Sequence, residues 1–224
     1  MDVLRRDNLK LGGFAGLREH RLVMDPKAFG PHAAKETWPG IGNFVYLADA
    51  RFNPKGATGM HGHKEIDVIS VMVAGRIAHE GSLEHGKELT GRQVQVQRAG
   101  GEGFMHNEVN PDATKNRMIQ MWVLPESYGE PAGYKIYNPA WGTRTRIYGG
   151  APGQQNTYAA GTTIEVSLLK AGERLNLDKP ALVYLCEGSG EANGQTVGDG
   201  DLLRGDQLSY KAETETQLIT IQAA

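Results

Sequence analysis

The chain has 224 residues, 39% hydrophobic and 22% charged, with a formal charge of −2, enough apolar material to build its own core without disulfides or a structural metal. Basic and acidic residues are interspersed, so no nucleic-acid-binding or membrane-binding face is indicated, and the one cysteine, Cys186, excludes an intrachain disulfide framework. No apolar run approaches the roughly 18–20 residues that span a bilayer, and Met1-Asp2-Val3-Leu4-Arg5-Arg6-Asp7 lacks the apolar centre of a signal peptide; the expected location is the cytoplasm.

Thirty glycines punctuate short apolar stretches, the pattern of many strands joined by turns. In chain order, residues 14–24 read as a short helical turn and 43–52 as a strand. Residues 67–79 read as one long strand, followed by strands at 93–97 and 116–124, with a helical turn at 125–129. Residues 138–157, rich in Gly, Pro, Asn, Thr and Arg, read as a connection between two halves. Strands at 163–169, Ala181–Glu187 and 217–222 follow. Alternation in Val94-Gln95-Val96-Gln97 and Ile164-Glu165-Val166-Ser167 marks strands with one face on a core. The expectation is an all-β protein of two β-barrel domains, 1–135 and 136–224.

Aligning Gly75 with Gly188 lays residues 67–75 over 180–188 and Gly59 over Gly172. A duplicated β-domain is the reading; the alternative is two unrelated segments that share strand grammar. In this register His61 and His63 fall over Arg174 and Asn176. All seven histidines lie in the first half, so only the first domain is expected to carry a histidine metal site.

The chemistry concentrates in two segments. In Gly59-Met60-His61-Gly62-His63-Lys64-Glu65-Ile66-Asp67, the i, i+2 spacing sends both imidazoles to one face of a strand. In Gly101-Glu102-Gly103-Phe104-Met105-His106-Asn107-Glu108, the same spacing pairs an imidazole with a carboxylate. Two such strands enclose a metal ion with three imidazoles and one carboxylate: His61, His63, His106 and Glu108. These donors accept most first-row divalent ions, and four protein ligands on an octahedral ion leave two open positions. Glu65 shares strand parity with both histidines and competes with Glu108 unless a bend after His63 turns it away. His79 and His85 flank a hairpin tip and are expected to be exposed. Trp122 and nearby methionines are expected in the core or a pocket wall.

These two segments resemble the cupin superfamily and, within it, the pirin family. Gly-Met-His61-Gly-His63-Lys-Glu-Ile-Asp67, running on to Gly75, looks like the pirin His-Pro-His segment. Gly103-Phe-Met-His106-Asn-Glu108 looks like the pirin Gly-x-x-His-Ser-Glu segment. Gly62 stands in place of the usual proline and Asn107 in place of a common serine. The resemblance is best over residues 40–125.

It implies two tandem, jelly-roll-like cupin barrels with one divalent metal ion in the first. Iron is the first expectation, with nickel, cobalt, manganese, copper and zinc also acceptable. It gives His61, His63, His106 and Glu108 as ligands and Asp67 as a residue that orients a ligand imidazole. It further implies an oxidoreductase resembling quercetin 2,3-dioxygenase, acting on a flavonol-type small molecule, with Glu108 as ligand and catalytic base. Two alternatives stay open: a metal-dependent regulatory or partner-binding protein without turnover, and a sugar-binding or isomerase cupin. No oligomeric state follows from the residues; a monomer is the simplest expectation.

Overall fold

Short runs of β-branched and aliphatic residues between glycine turns pair antiparallel throughout the structure, a computed structural model that describes residues 1–223. Position 224, the end of the expected second domain, lies outside them. One α-helical turn, Pro26–Phe29, is capped by Asp25, whose carboxylate accepts from the Lys27 N–H. Among the described residues no helix is long and apolar enough to cross a membrane.

The chain divides into two compact units, Leu9–Asn138, and Met1–Asn8 together with the chain from Pro139 onward. Met1–Asn8 thus groups with the C-terminal half, whereas the sequence reading had placed it in the first domain. The reason is a strand pairing that no local pattern encodes: Asp2–Arg5 pairs with Asp201–Gly205.

The first unit has a seven-stranded sheet in the order Gly133–Tyr137, Val94–Arg98, Asp67–Ala74, Arg117–Val123, Phe44–Phe52, Leu17–Met24, Leu11–Phe14. A four-stranded sheet runs His61–His63, Phe104–Val109, Arg76–Gly81, Glu88–Thr90. Three expectations change. Residues 14–24 are not a helical turn: Leu17–Met24 is a strand paired on both edges. Its alternating face carries Leu17, Glu19 and Arg21, so charged residues masked the inward pattern. Residues 125–129 form turns, not a helix. The expected strand 67–79 is two strands broken at Gly75, where φ is 72° and a Cβ would come within 2.9 Å of the Asn116 Cβ.

The second unit repeats the plan. Its six-stranded sheet runs Asp2–Arg5, Asp201–Gly205, Ala181–Glu187, Thr216–Gln222, Ala160–Leu169, Thr143–Gly150. Its four-stranded sheet runs Arg174–Leu177, Leu208–Ala212, Ser189–Ala192, Gln195–Gly198. Asp2–Arg5 fills the edge position that Gly133–Tyr137 fills in the first unit.

The interiors differ. In the first unit His61 lies opposite His106 and His63 opposite Phe104. In the second, the inward pairs are Leu175 opposite Tyr210 and Leu177 opposite Leu208. Arg174 and Asn176, the residues under the histidines in the sequence alignment, are exposed. The structural correspondence is one residue further along, and a one-residue slip moves every side chain to the other face of a strand. Stepping along the paired strand from Tyr210 gives Ala212 opposite in role to Glu108. Leu175, Leu177, Tyr210 and Ala212 all belong to one buried apolar cluster.

Candidate metal centre

The three-residue strand His61–His63 gains its place from pairing with Phe104–Val109. On the other side of Phe104–Val109, Arg76–Gly81 puts His79 opposite Glu108. Side chains two apart share a face, so His61, His63, His106, Glu108 and His79 all turn to one interior. Donor nitrogens of His61, His63 and His106 lie within 4.8 Å of one another. The His106 Nε2 is 3.0 Å from the His61 Nε2 and 3.2 Å from the His63 Nε2.

Those distances fit a cation. Two metal–nitrogen bonds of about 2.1 Å set at right angles hold their nitrogens about 3.0 Å apart, against about 3.4 Å for a tetrahedral site. The hydrogen bonding points the same way. The His61 Nδ1 stands 2.9 Å from the Gly59 carbonyl oxygen. A carbonyl only accepts, so Nδ1 carries the proton and Nε2 offers a lone pair. The Nδ1 of His106 is buried without a hydrogen-bond partner, so that ring's polarity is answered at Nε2, in the cluster.

Burial, reinforced by the neighbouring imidazoles, pushes the His63 pKa down to about 4 and that of His106 down to about 2. Both rings are neutral at pH 7, the state a metal ligand requires. Glu108 is 3% exposed, and burial pushes its carboxyl up to about 7 against the opposing hydrogen bonds from Ser70 and Gln95. Its Oε1 accepts from the Ser70 Oγ and the Gln95 Nε2, each at 3.1 Å. Tyr134 donates to the Gln95 Oε1 at 3.1 Å. Glu108 is not part of the three-nitrogen cluster; it lines the same cavity under this polar clamp.

The other residues named from sequence divide. Glu65 adopts a left-handed backbone conformation, φ 51°, directly after His63-Lys64. The bend sends its carboxylate away to accept from the Gly129 N–H at 2.9 Å. Asp67 is buried at the start of its strand, opposite Arg98. His85 is exposed. His79 is not: it is fully buried, its ring 5.4 Å from that of His106 and 6.0 Å from that of Tyr134. Its parity with buried Ile77, two residues earlier, was the available signal.

A cavity of about 390 Å³ reaches the cluster, within the range of small-molecule sites. One wall is aromatic. Trp122 stacks with Phe29 at 5.9 Å and 9°, contacts Tyr46 at 4.5 Å, and lies 5.8 Å from His63. Glu19, Arg21 and Gln120 also line it. None of these long-range neighbours was singled out as polar lining from sequence.

Residues 27–123 match the family model described as Pirin. A Zymomonas mobilis protein provisionally named quercetin 2,3-dioxygenase is 33% identical over 97 residues, covering 43% of this chain and 38% of that protein. A pirin-like protein of Caulobacter vibrioides is 27% identical over 184 residues, 73% of this chain and 76% of that one. Among solved structures, the bacterial pirin YhhW of Escherichia coli in complex with nickel(II) matches with a TM-score of 0.83 at 16% identity, covering 99% of this chain and 98% of that chain. The chain thus spans about two fifths of the first relative and about three quarters of the second.

Proposed function

Residues 27–123 match the Pirin family model, and on that premise we propose that the first unit is the metal centre of a dioxygenase for flavonol-type substrates. The observation that carries this reading is the convergence of three Nε2 atoms, at 3.0 and 3.2 Å, on the wall of an aromatic-lined cavity. His61, His63 and His106 would hold the ion, with Glu108 as fourth ligand. Relatives named for quercetin 2,3-dioxygenase and the nickel(II) complex of YhhW support the choice of chemistry. Iron or nickel leads the candidates.

A divalent ion held here supplies Lewis acidity that lowers the pKa of a bound hydroxyl. The chain's own residues do the rest. Glu108, buried on the cavity wall beside the histidines, is placed to take the proton of a substrate hydroxyl. Ser70 and Gln95 fix the orientation of its carboxyl group through Oε1. Trp122 and Phe29 offer flat apolar surface for a planar ring. The cavity reaches the histidines, which favours turnover over the regulatory reading, where a metal sealed by side chains would be expected.

The test is turnover of 3-hydroxyflavone and quercetin by protein reconstituted with iron, nickel, cobalt, manganese, copper or zinc, with and without dioxygen. Oxygen uptake with ring-cleaved product supports the reading. No uptake and no product with every metal overturns it.

A further inference from the structure

One register row crosses the seven-stranded sheet through Arg21, Ala48, Gln120, Ser70 and Gln95. Residues in one row share a face, and Arg21, Gln120 and the clamp on Glu108 all belong to the cavity side. Strands lie about 4.8 Å apart, so about 14 Å of sheet separates the backbones of Arg21 and Ser70. Ala48 contributes only a methyl group between Arg21 and Gln120. The row therefore has a polar end at Glu108, a small buried residue at Ala48 and a cation beyond it.

Among the described residues lining this cavity, Arg21 is the sole Lys or Arg. Its partner is Glu19, which accepts from the Arg21 Nε at 2.7 Å and from the Tyr46 hydroxyl at 3.0 Å. The Glu19 side chain is 3% exposed and that of Arg21 43%. Both side chains line the cavity, with the guanidinium the more exposed of the two. Glu19 accepts from Nε and the Tyr46 hydroxyl pairs with the same guanidinium, so the remaining N–H groups are the ones available to a carboxylate. Phe29, Tyr46 and Trp122 supply the aromatic wall beside it.

We propose that Arg21 is an anion-recognition residue, and that the cavity takes planar aromatic ligands with chelating oxygens at the histidine cluster and a carboxylate at the far end. The histidine end rests on the metal-centre reading given above; the Arg21 end rests on the register row and the Glu19–Arg21–Tyr46 contacts.

The test uses the full chain loaded with nickel(II) and calorimetric titration of caffeate and methyl caffeate, which differ in the anionic group alone. The wild type is expected to bind caffeate about tenfold or more tighter than methyl caffeate, as a charge-assisted bidentate contact implies. Arg21→Gln should bring that ratio close to one and leave methyl caffeate within about twofold. Because Arg21→Gln leaves Glu19 buried beside a neutral amide, the double variant Glu19→Gln/Arg21→Gln is titrated in parallel and should show the same lost preference. Failure of the wild type to prefer caffeate, failure of either ligand to bind, or a preference that survives in both variants overturns the proposal. Titration with 3-hydroxyflavone separates the two readings. If it does not bind while the Arg21-dependent preference holds, the flavonol assignment fails and anion recognition stands; if it binds while caffeate is not preferred, the reverse is true.

Discussion

His61 and His106 lie directly opposite each other on adjacent antiparallel strands, their Nε2 atoms 3.0 Å apart. Cross-strand partners are close enough for their side chains to meet, and here the sheet itself sets the spacing of the candidate metal donors. His63 joins from two residues away on the same strand.

Removing one member of this pair should empty the site while leaving the barrel folded. His106→Ala is expected to lower affinity for nickel(II) or iron(II) by at least about 100-fold, beyond the effect typical of an outer partner. Elemental analysis of the purified wild type and variant checks it; equal metal content in both would show that the ligands were misassigned.

Glu108 gives a pH signature. A carboxylate binds a cation only when ionised, and this one is protonated below about pH 7. Metal uptake below that pH must displace the proton, so affinity falls as pH drops. Between pH 5 and 7 the slope of log affinity against pH should be steeper by one proton in the wild type than in Glu108→Gln. Chelator competition at several pH values measures it, and identical slopes would remove Glu108 from the ligand set.

His79 should matter through packing against His106. His79→Ala opens space beside that ring, and we expect about tenfold weaker metal binding, the lower range for residues that orient a ligand. Thermal unfolding of the metal-free protein should also shift down, as expected for a truncated buried ring. Unchanged metal affinity would leave His79 as core filling alone.

The second unit should be separable from the metal. Leu175→Ala removes a buried side chain from its apolar interior and should cost about 2–5 kcal/mol, read by urea denaturation of that unit. Metal stoichiometry per chain should not change. Loss of metal on this substitution would mean that the centre depends on the second interior.

The candidate donors were legible in the sequence because a strand has a period of two, and His-x-His and His-x-Glu express that period within three residues; the structure brings His61, His63 and His106 together and sets Glu108 on the same cavity wall. The strands at Phe44–Phe52, Arg117–Val123 and Ala181–Glu187 were legible for the same local reason. Leu17–Met24 was not, because its inward face carries Glu19 and Arg21, which serve the cavity and hide the hydrophobic alternation. His79 was misplaced as exposed because its burial comes from pairing with Glu108, 29 positions away in the chain.

Sequence alone determined the donor types, their spacing, and the half of the chain that holds them. Tertiary structure decided which face each strand presents. It set Leu175 and Leu177, rather than Arg174 and Asn176, inside the second barrel. It turned Glu65 away from the histidines, and it drew Arg21, Gln120 and Glu108 to one cavity. The physical reason is that strand register is fixed by long-range hydrogen bonding, where a shift of one residue exchanges inside for outside.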